Sequence, residues 1–246
     1  MEILQCNWLP LLIGAAIAYL LGSINFAIII TKLMNRGDIR DYGSGNAGAT
    51  NMLRSQGKGA AALTAVGDIA KGMLAVFIGG WLVMNFPWGV SYPVSSIMIS
   101  PSVYMAQVRL VGHYIAGLFC ILGHMYPLYF GFRGGKGVLA TLGMTLILDW
   151  RVALFSLGVF ILIVIFTRLV SLGSIIAAVV QAIATFGFRA WIDHQPMPVV
   201  TLCTIMASLI GALLIVKHIP NIKRIAAGTE SKLGQKTTDK NEGSDG

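Results

Sequence analysis

The sequence predicts an all-α, polytopic integral membrane protein of about seven transmembrane helices, with its N-terminus outside and its C-terminus in the cytoplasm. Three observations carry this. Apolar residues make up 56% of the 246-residue chain and charged residues 11%, with a mean hydropathy of +0.76. Apolar runs of about 20 residues with few charges inside them recur, the length needed to cross roughly 30 Å of hydrocarbon. None of them alternates polar and apolar residues with period two, so the backbone is satisfied within helices and not in a barrel.

Seven apolar segments follow in order, over about 9–31, 60–85, 110–130, 136–149, 151–168, 170–190 and 198–218. The first has no charge inside it and no basic residue before it, and it exceeds a signal-peptide core, so it reads as a retained span. The fourth and fifth are short and separated only by Asp149, Trp150 and Arg151, which makes them a helical hairpin turning at one interface. Segments five and six meet at Thr167, Arg168 and Leu169 on the opposite side. With the N-terminus outside, the inner loops carry Lys32, Arg36, Arg40, Arg54, Lys58, Arg133, Lys136 and Arg168. The tail adds Lys217, Lys223, Arg224, Lys232, Lys236 and Lys240, whereas the outer face holds only Arg109, Arg151 and Arg189. That imbalance sets the orientation. It also accounts for the net charge of +8, so no nucleic-acid partner is invoked. Residues 1–228 form one membrane domain, and 229–246, rich in Gly, Ser, Thr, Lys and Asp, read as a disordered cytoplasmic tail. Cys120 and Cys203 lie in apolar runs as packing residues, and Cys6 has no evident partner.

Four polar features fall on the predicted inner side. Asp41 to Asn51, reading Asp-Tyr-Gly-Ser-Gly-Asn-Ala-Gly-Ala-Thr-Asn, brings Ser44 and three glycines into a loop able to approach an anion. Asn46, Thr50, Asn51 and Arg54 follow at roughly helical spacing, giving one polar face. Gly134-Gly-Lys-Gly137 after His124 and Pro127 resembles a nucleotide P-loop only superficially. Phe130 stands where its first glycine belongs, and Gly137 replaces the magnesium-binding hydroxyl. What survives is a glycine-rich cradle with Lys136, opening a helix. Asp68 and Lys71, at i and i+3, are either an internally neutralised ion pair or part of a site. Ser171, Ser174, His218, Asn221 and Arg224 end the last two segments in the same layer. No nucleophilic triad, metal pair or paired carboxylates can be assembled. Cations, hydroxyls, amides and glycine N–H groups at a lipid boundary describe a phosphate site with no metal and no cofactor.

These stretches closely resemble the bacterial acyl-phosphate:glycerol-3-phosphate acyltransferases, the PlsY family. The resemblance rests on Gly43 to Asn51 with Arg54, Asp68-Ile-Ala-Lys-Gly72, Leu122 to Pro127 running into Gly134 to Val138, Val170 to Ser174, and His218 with Asn221, Arg224 and Gly228. It extends from Gly22 to Glu230. It implies a multi-pass enzyme of the bacterial inner membrane with its active site on the cytoplasmic side. The implied reaction moves a fatty acyl group from acyl phosphate to the 1-hydroxyl of glycerol 3-phosphate, giving lysophosphatidic acid and phosphate in phospholipid synthesis. By the same resemblance, Ser44, Arg54, Lys136, His218 and Asn221 are the catalytic polar residues. Thr50, Gly134, Gly135, Gly137 and Ser171 are expected to bind substrate on the same ground, and Asn46 and Asn51 from their place on the polar face. One departure is visible: the family follows its lysine with Gly-Val-Ala-Thr, but here Leu139 intervenes, so no role passes to Thr141. The segment from Pro87 to Val111 also exceeds the usual length. The expected partners are acyl phosphate, glycerol 3-phosphate and membrane lipids, and the protein is expected to be a monomer.

The resemblance also implies that a substrate phosphate accepts the hydroxyl proton, which agrees with the lack of a carboxylate base in the sequence and leaves His218 as the one alternative base. His218 then positions substrate with Asn221. The competing reading is an anion or phosphate transporter, which calls for polar side chains through the full membrane depth.

Overall fold

A computed structural model describes residues 8–86 and 101–235. Cys6, most of the Pro87–Val111 segment before Pro101, and the tail beyond Gln235 with Lys236 and Lys240 lie outside the described residues. Ten α-helices occur among the described residues: α1 (Trp8–Ser23), α2 (Phe26–Leu33), α3 (Ala49–Ser55), α4 (Lys58–Asn85), α5 (Pro101–Met125), α6 (Val138–Leu148), α7 (Trp150–Thr167), α8 (Val170–Gly187), α9 (Met197–Lys217) and α10 (Ile219–Ala226).

Among the described residues, six apolar stretches are long enough to cross a membrane: Trp8–Leu33, Lys58–Asn85, Tyr104–Phe130, Trp150–Thr167, Val170–Ile192 and Met197–Lys217. The expected seven therefore become six span-length stretches and one shorter helix. The shorter one is α6, whose 11 residues extend only about 16 Å. It stops because Asp149 turns extended and caps α7, accepting from the Arg151 N–H at 3.0 Å. The hairpin read from Asp149-Trp-Arg151 is thus present, with one full arm and one half arm. Helix α7 is apolar all round, and few of its side chains are buried. Phe166 is 82% exposed, as suits a helix facing lipid.

Two sub-bundles share the core. In one, α1, α4 and α5 pack together and α6 lies against α4; in the other, α8 packs between α7 and α9. Val76, Ile121, Met144, Ala178 and Ile210 join the two through α4, α5, α6, α8 and α9. Cys120 and Cys203 are buried within this packing. Without water to drive helices together, close contact depends on small residues. A Cβ on Gly72 would collide with the Ala140 carbonyl, and one on Gly143 with that of Ile69, so α4 and α6 touch backbone to backbone.

The first span is broken at Ile24–Asn25, where Asn25 starts α2 by accepting from the Ile28 N–H at 3.1 Å. The break frees carbonyls that lipid cannot satisfy. Lys71 on α4 does so instead, donating to Gly22 O at 3.1 Å and Ile24 O at 2.7 Å. Its ammonium also lies 2.9 Å from Asp68 and 2.9 Å from His124 Nδ1. The Asp68–Lys71 pair is therefore a buried ion pair that ties α4 to the break in the first span and to the end of α5. Lys71→Met should lower stability by about 3–5 kcal/mol, because it leaves a buried carboxylate and two carbonyls unpaired. A thermal midpoint in detergent equal to that of the wild type would contradict this role.

Loops grouped together by the sequence do meet at one end. Arg40 donates to Phe130 O and Arg133 O, Lys217 to Met125 O, and Arg168 to Leu233 O. At the other end Arg151 bridges Asp149 and Asp193, at 2.9 and 2.7 Å.

Candidate active site

At the basic end a cavity of about 430 Å³ opens among α3, α4, the start of α6 and the ends of α7, α8 and α9. The 43–48 loop forms one wall. Gly45 has φ of +71°, a left-handed turn suited to glycine. Asn51, almost fully buried, locks the loop: its amide donates to Ile39 O and Tyr42 O, and its oxygen accepts from the Ser44 N–H at 3.0 Å. Asn51, expected to bind substrate, also lines the cavity while its polar atoms clamp this loop. Ser44, Asn46, Thr50 and Arg54 line the cavity, and the last two share a face of α3 at i and i+4.

The glycine-rich loop forms the second wall, with a different division of labour from the expected one. The Gly134 and Gly135 N–H groups donate to Met125 O (3.2 Å) and His124 O (3.1 Å), so they are not available to an anion. A Cβ on Gly134 would strike the His124 carbonyl, and one on Gly135 the His124 ring. These two are glycines for close packing, a correction to their assignment as phosphate donors. Gly137 adopts φ of +86° and caps α6. The first N–H groups of α6 have no helical acceptor. Lys136, Gly137, Val138 and Leu139 line the cavity there.

Opposite stands a continuous polar cluster. Lys136 Nζ donates to Asn221 Oδ1 at 2.6 Å. Asn221 Nδ2 donates to Ser171 Oγ and to Glu230 Oε1, both at 2.7 Å, and Ser171 Oγ donates to Glu230 Oε1 at 2.6 Å. Arg224 closes the network at 2.7 Å on the other Glu230 oxygen. Arg54 donates to Ser231 O at 2.9 Å, while its buried Nε has no partner. Arg54 itself lines the cavity, so its guanidinium is placed to meet an anion there.

His218 lies beside this cluster, buried at the α9–α10 junction, with Nδ1 2.8 Å from Leu214 O. A carbonyl only accepts, so the neutral ring carries its proton on Nδ1 and leaves Nε2 as an acceptor. Burial, reinforced by the Lys136 charge, pushes His218 down to about 4. Burial also lowers Lys136, to about 8, with Arg224 and Arg54 adding to the effect against Glu230. Arg54 moves down for the same reason, burial first. Glu230 goes the other way: burial opposes its ionisation, but hydrogen bonds from Ser171, Asn221 and Arg224 outweigh that and keep it charged.

Glu230 is the residue the sequence reading missed, and it also redraws the tail. Residues 229–235 fold back over the site, with Glu230 buried and Leu233 lining the cavity. Asp68 lines it too. Asp68 was expected near this layer and Glu230 was not, and each is already paired with a cation.

The chain matches the glycerol-3-phosphate acyltransferase family over residues 12–228. It is 39% identical over 223 residues to the glycerol-3-phosphate acyltransferase of Thermoanaerobacter pseudethanolicus, covering 91% of this chain and 96% of that one. It is 37% identical over 222 residues to the enzyme of that name from Bordetella pertussis, covering 89% and 90%. Among solved structures it resembles the integral membrane glycerol 3-phosphate acyltransferase PlsY at 38% identity. The TM-score is 0.70 against its glycerol 3-phosphate form, covering 91% of this chain and 96% of that one. Against its lysophosphatidic acid form the TM-score is 0.68, covering 91% and 95%.

Proposed function

Because this chain belongs to the glycerol-3-phosphate acyltransferase family of phospholipid synthesis, we propose that it transfers a fatty acyl group from acyl phosphate to the 1-hydroxyl of glycerol 3-phosphate. The products are lysophosphatidic acid and inorganic phosphate. The observation that carries this reading is the single cavity holding Arg54, Lys136 and neutral His218 beside apolar walls. Two phosphates and an alkyl chain need that combination. Family membership favours the enzyme over the transporter reading.

The acceptor hydroxyl attacks the carbonyl carbon of the acyl phosphate, and the bond from that carbon to the phosphate oxygen breaks. Arg54 and Lys136 hold the two phosphates together and stabilise the charge that builds on the departing one. His218 Nε2 accepts a hydrogen bond from the acceptor and orients it, with Asn221 fixing Lys136. A base at about 4 holds a proton poorly at neutral pH, so the hydroxyl proton passes to a substrate phosphate. No metal is required, since the site's own cations do this work and its two carboxylates are engaged. The enzyme acts as a monomer in the bacterial inner membrane, N-terminus outside, with the site facing the cytoplasm. The excess of Lys and Arg at that end supports this orientation.

The pH profile tests the assigned charges. Lys136 is a cation below about 8 and loses its charge above it, so kcat/KM should fall on the alkaline side. Lys136→Arg, if active, should carry that limb upward. Titration of the substrate phosphates gives an acid limb near about 6. His218→Gln should lower the rate and leave that limb in place; losing the limb would make His218 the base. The donor is tested by supplying purified protein with palmitoyl phosphate, palmitoyl-CoA or palmitoyl-acyl carrier protein, with and without EDTA. Turnover with the phosphate alone, unaffected by EDTA, is expected. Turnover of a thioester, or loss in EDTA, would contradict the reading.

A further inference from the structure

Residues 229–235 return over the candidate site as a strap, with left-handed glycines at Gly228 (φ +69°) and Gly234 (φ +89°). Glu230 is buried on Ser171, Asn221 and Arg224. Arg54 donates to the carbonyl of the next residue, Ser231, at 2.9 Å. Arg168, at the turn between α7 and α8, grips Leu233 twice. Its carbonyl accepts from the Leu233 N–H at 2.7 Å, and its Nη2 donates to the Leu233 carbonyl at 3.1 Å. The Ser231 carbonyl is therefore held on both sides, through Glu230 just before it and Leu233 just after it. A Cβ on Gly234 would lie 3.2 Å from Arg168 Nη2 and crowd that guanidinium. Arg168 itself stands where glycine is favoured: it closes α7 with φ of +60°, a left-handed geometry that a Cβ makes costly. It is exposed and does not line the cavity; what its guanidinium reaches is the strap.

Resting on the acyl-phosphate reading above, we propose that Arg168 is a positioning residue for Arg54. By anchoring the strap at Leu233 it fixes the Ser231 carbonyl, and through that carbonyl the direction in which the Arg54 guanidinium meets a substrate phosphate. The physical reason is rotamer freedom. A long arginine side chain has many rotamers, and its two-point contact with a phosphate forms in few of them. A fixed acceptor on one guanidinium nitrogen selects the orientation in which Arg54 lines the cavity. Without the Arg168 contact the strap keeps its Glu230 anchor, but the chain after Ser231 is held by one hydrogen bond to the turn at residue 168 instead of two.

The test is a double-mutant cycle in the purified full-length protein, read as kcat/KM with palmitoyl phosphate and glycerol 3-phosphate. In the wild-type background Arg168→Gly should lower kcat/KM about 10-fold, the order of one charge-assisted hydrogen bond. In Arg54→Ala the same change should lower it no further, because a residue that acts through another loses its effect when the other is gone. The substrate whose KM rises should be the one whose KM rises in Arg54→Lys. Glycine suits the backbone at position 168, so the thermal midpoint should hold. Arg168→Lys keeps a cation for the Leu233 carbonyl and should recover most of the loss. An equal loss in both backgrounds, or folded Arg168→Gly with wild-type kinetics, would overturn the proposal and leave the strap a structural cover. Wild-type protein inert with every acyl phosphate is a different result, which defeats the donor assignment first.

Discussion

Lys136→Met should reduce kcat/KM on the order of 100- to 1,000-fold, with the protein still folded. The magnitude is that of removing one preorganised donor from a site of developing negative charge. Lys136 sits at the junction of both walls: its backbone precedes the Gly137 cap of α6, and its ammonium is held by Asn221 at 2.6 Å. Methionine keeps much of the apolar stem, so the loss reports the charge. Burial already brings this lysine to about 8, so removing its ammonium spares the fold the cost of a desolvated cation. Activity should collapse while the thermal midpoint holds or rises. Parallel loss of both would make Lys136 a structural residue.

Arg54→Ala should cost transition-state binding about 3 kcal/mol, more than 100-fold in kcat/KM. Arg54→Lys should recover only part, because a lysine restores the charge without the planar fork. The asymmetry follows from the two sides of the guanidinium: one nitrogen is spent on Ser231 O, while the buried Nε has no partner. A substrate phosphate held by the guanidinium edge that lines the cavity gains a charge-assisted, two-point contact. If Arg54→Lys matched the wild type, the fork would be unnecessary and Arg54 would act only as a point charge.

Much of the architecture was legible because membrane spans are written in runs of one residue class. The hairpin at Asp149-Trp-Arg151 and the clustering of basic loops at one end could be read directly from the chain. The break at Asn25 could not, since its carbonyls are rescued by Lys71, whose contacts with Gly22 and Ile24 cross 49 and 47 positions. In the site, the cations, Asn221 and Ser171 were legible as polar residues at one depth, and the structure brings them together. Asn51, Gly134 and Gly135 carried the right residue types for anion binding, but tertiary contacts use their polar groups elsewhere. Glu230 was hidden by its surroundings. A lone acid among Gly, Ser, Thr and Lys looks like solvated tail until α10 and the turn at Gly228 (φ +69°) bring it back to Ser171, 59 positions away.

The most direct measurement is phosphate release by purified protein in detergent or a lipid mesophase, given palmitoyl phosphate with and without glycerol 3-phosphate. The account predicts release that depends on glycerol 3-phosphate, matches lysophosphatidic acid mole for mole and disappears in Lys136→Met. Folded wild-type protein that releases no phosphate, or releases it equally without the acceptor, would contradict it.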